Sequence, residues 1–184
     1  MEGIARDLLG KALFTNTDGI ITGGVIVETE AYSWRERGCH AFNKKKTTRN
    51  AVMFEDGGRA YVYLCYGMHH LFNIVTNVPG TPDAVLIRAL EPVEGLDEMK
   101  SRRGLNSDPF HLTSGPGKLS KAMGIDRRLN GKLLLDDEVW VEDLGRKIAS
   151  KEIRVTPRIG IDYAGDDALL PWRFSISKNP WVSR

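Results

Sequence analysis

The stretch Gly23 to Tyr32, GGVIVETEAY, constrains this chain more than any other. β-Branched and polar residues alternate along it, the period-two signature of a strand, so it is predicted to present Glu28, Glu30 and Tyr32 on one face. Two residues of strand advance span roughly 7 Å, which sets the two carboxylates side by side. Acidic side chains on a strand face are compatible with plain solvent exposure at a sheet edge. They are equally compatible with a functional site, and a second stretch, Ala60 to Val75, adds polar and aromatic groups aimed at the same place.

Composition bounds the rest. A chain of 184 residues is long enough to bury a core without disulfides or metal, and it is read as one domain over 1–184. Cys39 and Cys65 are its only cysteines, which is neither a disulfide framework nor a four-ligand zinc set, and a reduced, cytoplasmic setting is expected. The apolar runs are too short to span a membrane, and Glu2, Arg6, Asp7 and Lys11 break up any signal-peptide core. The net charge of +2 does not by itself demand a polyanionic partner. The basic residues are clustered, however, at Arg35, Arg37, Lys44–Lys46 and Arg49 and again from Lys100 to Arg128, while acids collect at Asp136 to Asp143. Such asymmetry predicts a basic face.

Taken in order, residues 2–13 read as an amphipathic helix with Gly10 as its weak point, 15–19 as a turn, and 20–32 as one long strand or a strand with a bulge at Gly23-Gly24. Residues 33–50 are polar and aperiodic, too long for an idle connection, so they are read as a binding loop or a mobile arm. Residues 60–64 and 71–76 read as a hairpin around Gly67, and 85–90 as a buried strand interrupted by Arg88. Helices are predicted at 92–102 and at 114–123, the latter capped by Ser114, with short strands at 138–142, 152–161 and 173–177. No convincing crossover helix joins successive strands. The expected fold class is therefore α+β, one mixed domain around a mainly antiparallel sheet with a few peripheral helices.

The hairpin tip points to chemistry. Tyr66 precedes Gly67 where burial is unfavourable, Tyr61 and Tyr63 share a strand face, and Asn73 is expected roughly opposite Tyr63. An aromatic at a tip either packs under another loop or serves as a wedge between stacked bases. A wedge beside an aromatic pocket, two carboxylates and a basic loop fits an enzyme that extrudes a base. Tyr32, His40 and Tyr63 would sandwich that base, and Glu30 would handle water. The Cys and His residues at 39, 40, 65, 69 and 70 fit no standard zinc spacing, and no metal or cofactor is expected.

Seven separated motifs then resemble one family in the same order along nearly the whole chain: VETEAY at 27–32, CHA at 39–41, TRN at 48–50, YVYLCYGM at 61–68, LIRALEPVEG at 86–95, SGPGKL at 114–119 and NPWVS at 179–183. The chain is similar to the alkyladenine (methylpurine, or 3-methyladenine) DNA glycosylases. The resemblance implies a curved antiparallel sheet and a hairpin inserted into the DNA minor groove. It implies Glu30 as general base, with Arg88 near the catalytic water and the target phosphate. It implies Tyr32, His40 and Tyr63 against the flipped base, Asn73 at the pocket border, and the Ile159 carbonyl on the water. Tyr66 is implied as the intercalating residue, and Arg49 and Lys118 are expected on the DNA backbone. The loop between Tyr32 and His40 is one residue shorter than in vertebrate members.

The expected activity is hydrolysis of the N-glycosidic bond of alkylated purines in double-stranded DNA by a monofunctional, monomeric enzyme. Its location would be cytoplasmic, or nucleoid-associated in a bacterium. Cleavage of a base from deoxyribose develops oxocarbenium character, which one carboxylate can stabilise while it deprotonates water. Two rival readings are a non-catalytic nucleic-acid-binding module and a glycosidase of free nucleosides.

Overall fold

The computed structural model describes residues 1–104 and 108–183. Helix α1 (Glu2–Asp7) leads into strands β1 (Ala12–Thr17) and β2 (Ile20–Tyr32). After a long segment of short turns come β3 (Ala60–Cys65), β4 (His69–Val75) and β5 (Ala84–Glu94). Helices α2 (Leu96–Arg103) and α3 (Pro116–Ala122) follow, and then the short strands β6 (Val139–Glu142), β7 (Ile153–Thr156) and β8 (Arg173–Ile176). Each recorded strand pairing is antiparallel, in the order β3-β4-β5-β2-β1-β6, with β8 joining β2 and β7 joining β8. The α+β class expected from the sequence is the class observed.

β2 is the hub. Its first half lies between β1 and β5, and its second half between β8 and β5, so its acidic face is interior and not a sheet edge. Glu28 and Glu30 are fully buried. Besides the register shift at Gly23/Gly24, two offset irregularities break the β2–β5 ladder. Ile26 pairs Leu90 and Glu28 pairs Ala89, which leaves Val27 as an extra residue; Thr29 then pairs Ile87, which leaves Arg88 unpaired. A bulge re-aims its side chain, and here it turns Arg88 onto both carboxylates. The opposite face of β2 carries Thr29, whose hydroxyl donates to the Ala5 carbonyl of α1 at 2.8 Å. That face joins the main core of Leu13, Val27, Phe72, Ile87, Leu119 and Phe174.

Several expected boundaries move. The first helix stops at Asp7 and not at residue 13, because Gly10 takes φ +88° and a Cβ there would sit 2.6 Å from the Arg146 carbonyl. Ala12 and Leu13 belong to β1, which also takes up Thr15 to Thr17 of the expected turn. The helix expected at 92–102 begins at Leu96, since Pro92 to Glu94 continue β5. Gly115, not Ser114, is the N-cap of α3, and Ser114 instead bridges to Ala89. The strand expected at 152–161 is only β7, and the residues after Thr156 come back to β2, Arg158 donating to the Ala31 carbonyl and the Ile159 amide to the Glu30 carboxylate.

Segment 33–50 is folded onto the body of the protein. Ser33, Glu36, Cys39, Ala41 and Asn50 are buried, and Asn50 donates to the carbonyls of His40 and Lys45 at 2.8 and 2.9 Å. It packs a second, smaller core around Met53, Tyr61 and Val75, and it forms one wall of the site.

Candidate functional site

Between the hairpin, segment 33–50 and the turn after β7 lies a cavity of about 450 Å³. Tyr32, His40, Tyr63, Asn73, Arg88 and Ile159 line it, as do Arg49 and Tyr66 at its mouth. Of the residues singled out from the sequence, Glu28, Glu30 and Lys118 stay outside this lining. Glu30 lies just behind the floor, held by groups that do line the cavity, and Lys118 sits half-buried on α3 outside the lining.

Glu30 is held by three donors. Its Oε2 accepts from the Tyr32 hydroxyl at 2.8 Å and lies 3.2 Å from Arg88 Nη1; its Oε1 accepts from the backbone amide of Ile159 at 2.8 Å. The contact the structure shows at Ile159 is therefore the amide on the carboxylate. Burial works against the charge of Arg88, but Glu30 and then Glu28 outweigh it and hold the guanidinium pKa above its ordinary value. Burial, reinforced by the neighbouring Glu30 carboxylate, raises the Tyr32 phenol well above its usual range, which keeps it a donor.

Glu28 points the same way and is bound differently. It receives the Ser183 amide at 2.8 Å and the Ser183 hydroxyl at 2.9 Å, ion-pairs with Arg173, and lies 3.3 Å from Arg88 Nε. It does not line the cavity. Its chemistry is that of a clamp joining β2 to β8 and to the NPWVS segment. Nothing local in the sequence announces that bond, because Ser183 lies 155 residues away.

The aromatic wall is built by period two on β3. Tyr61 and Tyr63 face the same side with ring centroids 5.4 Å apart, and His40 meets Tyr63 edge-on at 4.6 Å. His40 Nδ1 is 2.9 Å from the Tyr61 hydroxyl. The residue keeps exposed surface, but desolvation of the imidazole between these rings, with the Arg49 charge nearby, lowers the His40 pKa to about 4. Burial also raises both tyrosines. Tyr61, to which the sequence reading assigned no role, thus fixes the imidazole. Its position two residues before Tyr63 was the available signal. Asn73 pairs Tyr61 and not Tyr63, and donates to the Tyr61 carbonyl at 3.1 Å.

At the tip, Tyr66 is 86% exposed and adopts φ +50°. Left-handed backbone is unfavourable for a bulky side chain by about 1–2 kcal/mol, so the turn spends stability on throwing an aromatic outward. The hairpin is braced from behind by α3, where Gly117 approaches so closely that a Cβ would lie 2.9 Å from the His69 ring. Arg49 stacks over Tyr63 at 4.8 Å and donates to the Leu64 carbonyl at 3.3 Å. Across the mouth stands Tyr163, 70% exposed, its hydroxyl donating to the Gly38 carbonyl at 3.2 Å. No periodicity or motif in the sequence marks Tyr163.

Among the described residues no three His, Cys, Asp or Glu side chains are grouped so as to hold a metal ion, and no helix is long and apolar enough to cross a membrane. A buried carboxylate with an unused lone pair, an aromatic slot and an exposed tip aromatic can together hold a planar ring and activate a small nucleophile beside it.

Comparison with known proteins points one way. Residues 1–180 match the family model described as methylpurine-DNA glycosylase. A Methanocella arvoryzae protein named "Putative 3-methyladenine DNA glycosylase" is 49% identical over 183 residues, covering 98% of this chain and 90% of that one. Proteins of the same name from Carboxydothermus hydrogenoformans and Chlamydia felis are 47% and 46% identical, covering 98% and 95% of this chain and 92% and 89% of their own.

Proposed function

The chain belongs to the methylpurine-DNA glycosylase family, and from that premise we propose that it is a monofunctional base-excision enzyme. It flips alkylated purines such as 3-methyladenine and 7-methylguanine out of duplex DNA and hydrolyses their N-glycosidic bond. The observation that carries this reading is Glu30, fully buried yet gripped by three groups that face an aromatic cavity.

In the proposed reaction, Tyr66 enters the duplex and takes the place of the extruded nucleotide, offsetting an unstacking cost of a few kcal/mol. The base slides between Tyr32 on one side and the His40 and Tyr63 rings on the other. A cationic alkylpurine gains cation–π attraction to those rings, worth up to about 2 kcal/mol when desolvated. As the bond between C1′ and the base nitrogen breaks, its electron pair leaves with the base and neutralises it.

Positive charge then develops at C1′, where Glu30 stabilises it. Oε2 already receives two donors, so the free lone pair is on Oε1 beside the Ile159 amide. Water bound there gives its proton to Glu30 and its oxygen to C1′. Arg88 holds the carboxylate from the other side. In this reading residues 1–184 act as one domain and as a monomer, in the cytoplasm or at the nucleoid.

The test is release of free base from methylated duplex DNA compared with the methylated nucleoside. Release from duplex alone supports the proposal. Release only from nucleoside would make it a nucleoside glycosidase, and binding without release would make it a binding module.

A further inference from the structure

Directly behind the pocket lies a buried ion pair for which the proposed reaction has no use. The Arg158 side chain has no exposed surface and that of Glu36 is 3% exposed. They meet through two parallel hydrogen bonds, Nη1 to Oε1 and Nη2 to Oε2, each 2.8 Å. Glu36 Oε2 also accepts from the Gly38 amide at 2.7 Å. Arg158 Nη1 and Nη2 donate onward to the carbonyls of Ala31 and Asp167, each at 3.0 Å. The guanidinium lies over the ring of Tyr32 at 4.7 Å and over that of Trp172 at 5.2 Å. Burial opposes its charge, but Glu36, with smaller contributions from Tyr32 and Glu30, holds the pKa above its ordinary value.

The partners of this one guanidinium are the neighbours of Glu30. Ile159, whose amide binds Oε1, follows Arg158 in the chain. Tyr32, whose hydroxyl binds Oε2, is backed by the guanidinium plane. Ala31, whose carbonyl Arg158 grips, is the single residue between Glu30 and Tyr32. Desolvating two charges costs about what their attraction returns, so a buried pair is a poor device for stability alone. A planar, bidentate pair is a good device for fixing directions.

We propose that Arg158, itself oriented by Glu36, is a positioning residue for base excision. It sets the Ile159 amide and the Tyr32 ring so that the Glu30 carboxylate keeps its free lone pair towards the cavity. This rests on the reading of Glu30 as the base that activates water.

The experiment uses Glu36→Gln and Arg158→Lys, each made in the natural protein and in the Glu30→Gln background. It reads three quantities: single-turnover release of 7-methylguanine from methylated duplex, affinity for a duplex carrying an abasic-site analogue, and melting temperature. Small misplacements of catalytic groups cost orders of magnitude in rate, so Glu36→Gln is expected to slow release about tenfold and Arg158→Lys about thirtyfold. Affinity should stay within about threefold, because docking does not depend on the carboxylate's aim. In the Glu30→Gln background, adding Glu36→Gln should change the residual rate by less than about twofold, since the two act through one group.

Equal fractional losses in both backgrounds, or an unchanged rate in folded Glu36→Gln, would overturn the positioning role. If Arg158→Lys melts below the assay temperature, the Glu36→Gln pair of measurements decides. Absence of release by the natural protein would overturn the glycosylase reading together with this one, whereas release by the natural protein unaffected by Glu36→Gln overturns this one alone.

Discussion

Replacing Glu28 by glutamine should loosen the C-terminal clamp while leaving the pocket lining in place. The carboxylate is fully buried, accepts from three donors, the Ser183 amide and hydroxyl and Arg173, and forms an ion pair with Arg88, whose Nε is 3.3 Å away. Glutamine keeps the shape, but it carries no charge and puts an N–H against groups that are themselves donors. Removing one member of a buried ion pair costs about 3–5 kcal/mol. Arg88 retains Glu30 as counter-ion and the Arg173 side chain is 16% exposed, so the lower end, about 3 kcal/mol, applies. For a chain of this size each kcal/mol moves the melting temperature by about 2–4 °C, which gives a fall of roughly 6–12 °C. Differential scanning calorimetry measures it, and single-turnover base release well below both melting points measures the chemistry. The expected pair of results is a large drop in Tm with release within about tenfold of the natural protein. An unchanged Tm would refute the clamp, and an unchanged Tm with abolished release would make Glu28, not Glu30, the reacting carboxylate.

Three further outcomes follow from the site. Tyr66→Ser should weaken binding to lesion duplexes and slow excision, with a much smaller effect on single-stranded substrate, because the wedge compensates for unstacking only where there is a stack; equal losses in gel-shift and excision assays on both would make Tyr66 structural. The His40 imidazole should titrate far below its ordinary 6.5, near 4, so its proton NMR resonances should stay flat from neutral pH down to about pH 5.5. The sign is that of a depressed pKa: the unfolded chain takes up the proton first, so stability falls as pH drops from about 6.5 towards 4, by less than the full shift because the ring is partly exposed to screening water. A midpoint near 6.5 would mean the ring is solvated and not packed on Tyr61 and Tyr63. Borohydride added during turnover should trap no protein–DNA adduct, because no lysine lines the cavity among the described residues and Glu30 can only activate water; an adduct abolished by replacing one lysine would contradict this.

What was legible in the sequence was local. Strict period two on GGVIVETEAY put Glu28, Glu30 and Tyr32 on one face, and β2 runs over the expected residues, Ile20–Tyr32. Whether that face met water or the interior depended on β1, β5 and β8, which come from distant parts of the chain, and the strand proved central. Short apolar runs do not distinguish helix from strand, so Ala12 and Leu13 fit the apolar stripe of a first helix, whereas the backbone at Gly10 turns the chain into β1. The hairpin was legible but its register was not: three residues, Tyr66 to Met68, make the turn, so Asn73 faces Tyr61 two residues from the expected partner. Arg88 stood out as a charge in a buried run, and the offset bulges explain how a β5 residue reaches two carboxylates on β2. The Arg158–Glu36 pair joins residues 122 apart, and the Ser183–Glu28 contact residues 155 apart. No periodicity or spacing carries such information; it exists only once the sheet is assembled.

The most direct test of the central claim is single-turnover release of 3-methyladenine from methylated duplex DNA by Glu30→Gln, with affinity for the same duplex measured in parallel. Loss of a group that acts only in the transition state lowers the rate and spares docking. The account predicts release reduced by at least about a thousandfold with affinity within about tenfold. Near-normal release by Glu30→Gln, in protein that melts like the natural one, would contradict it.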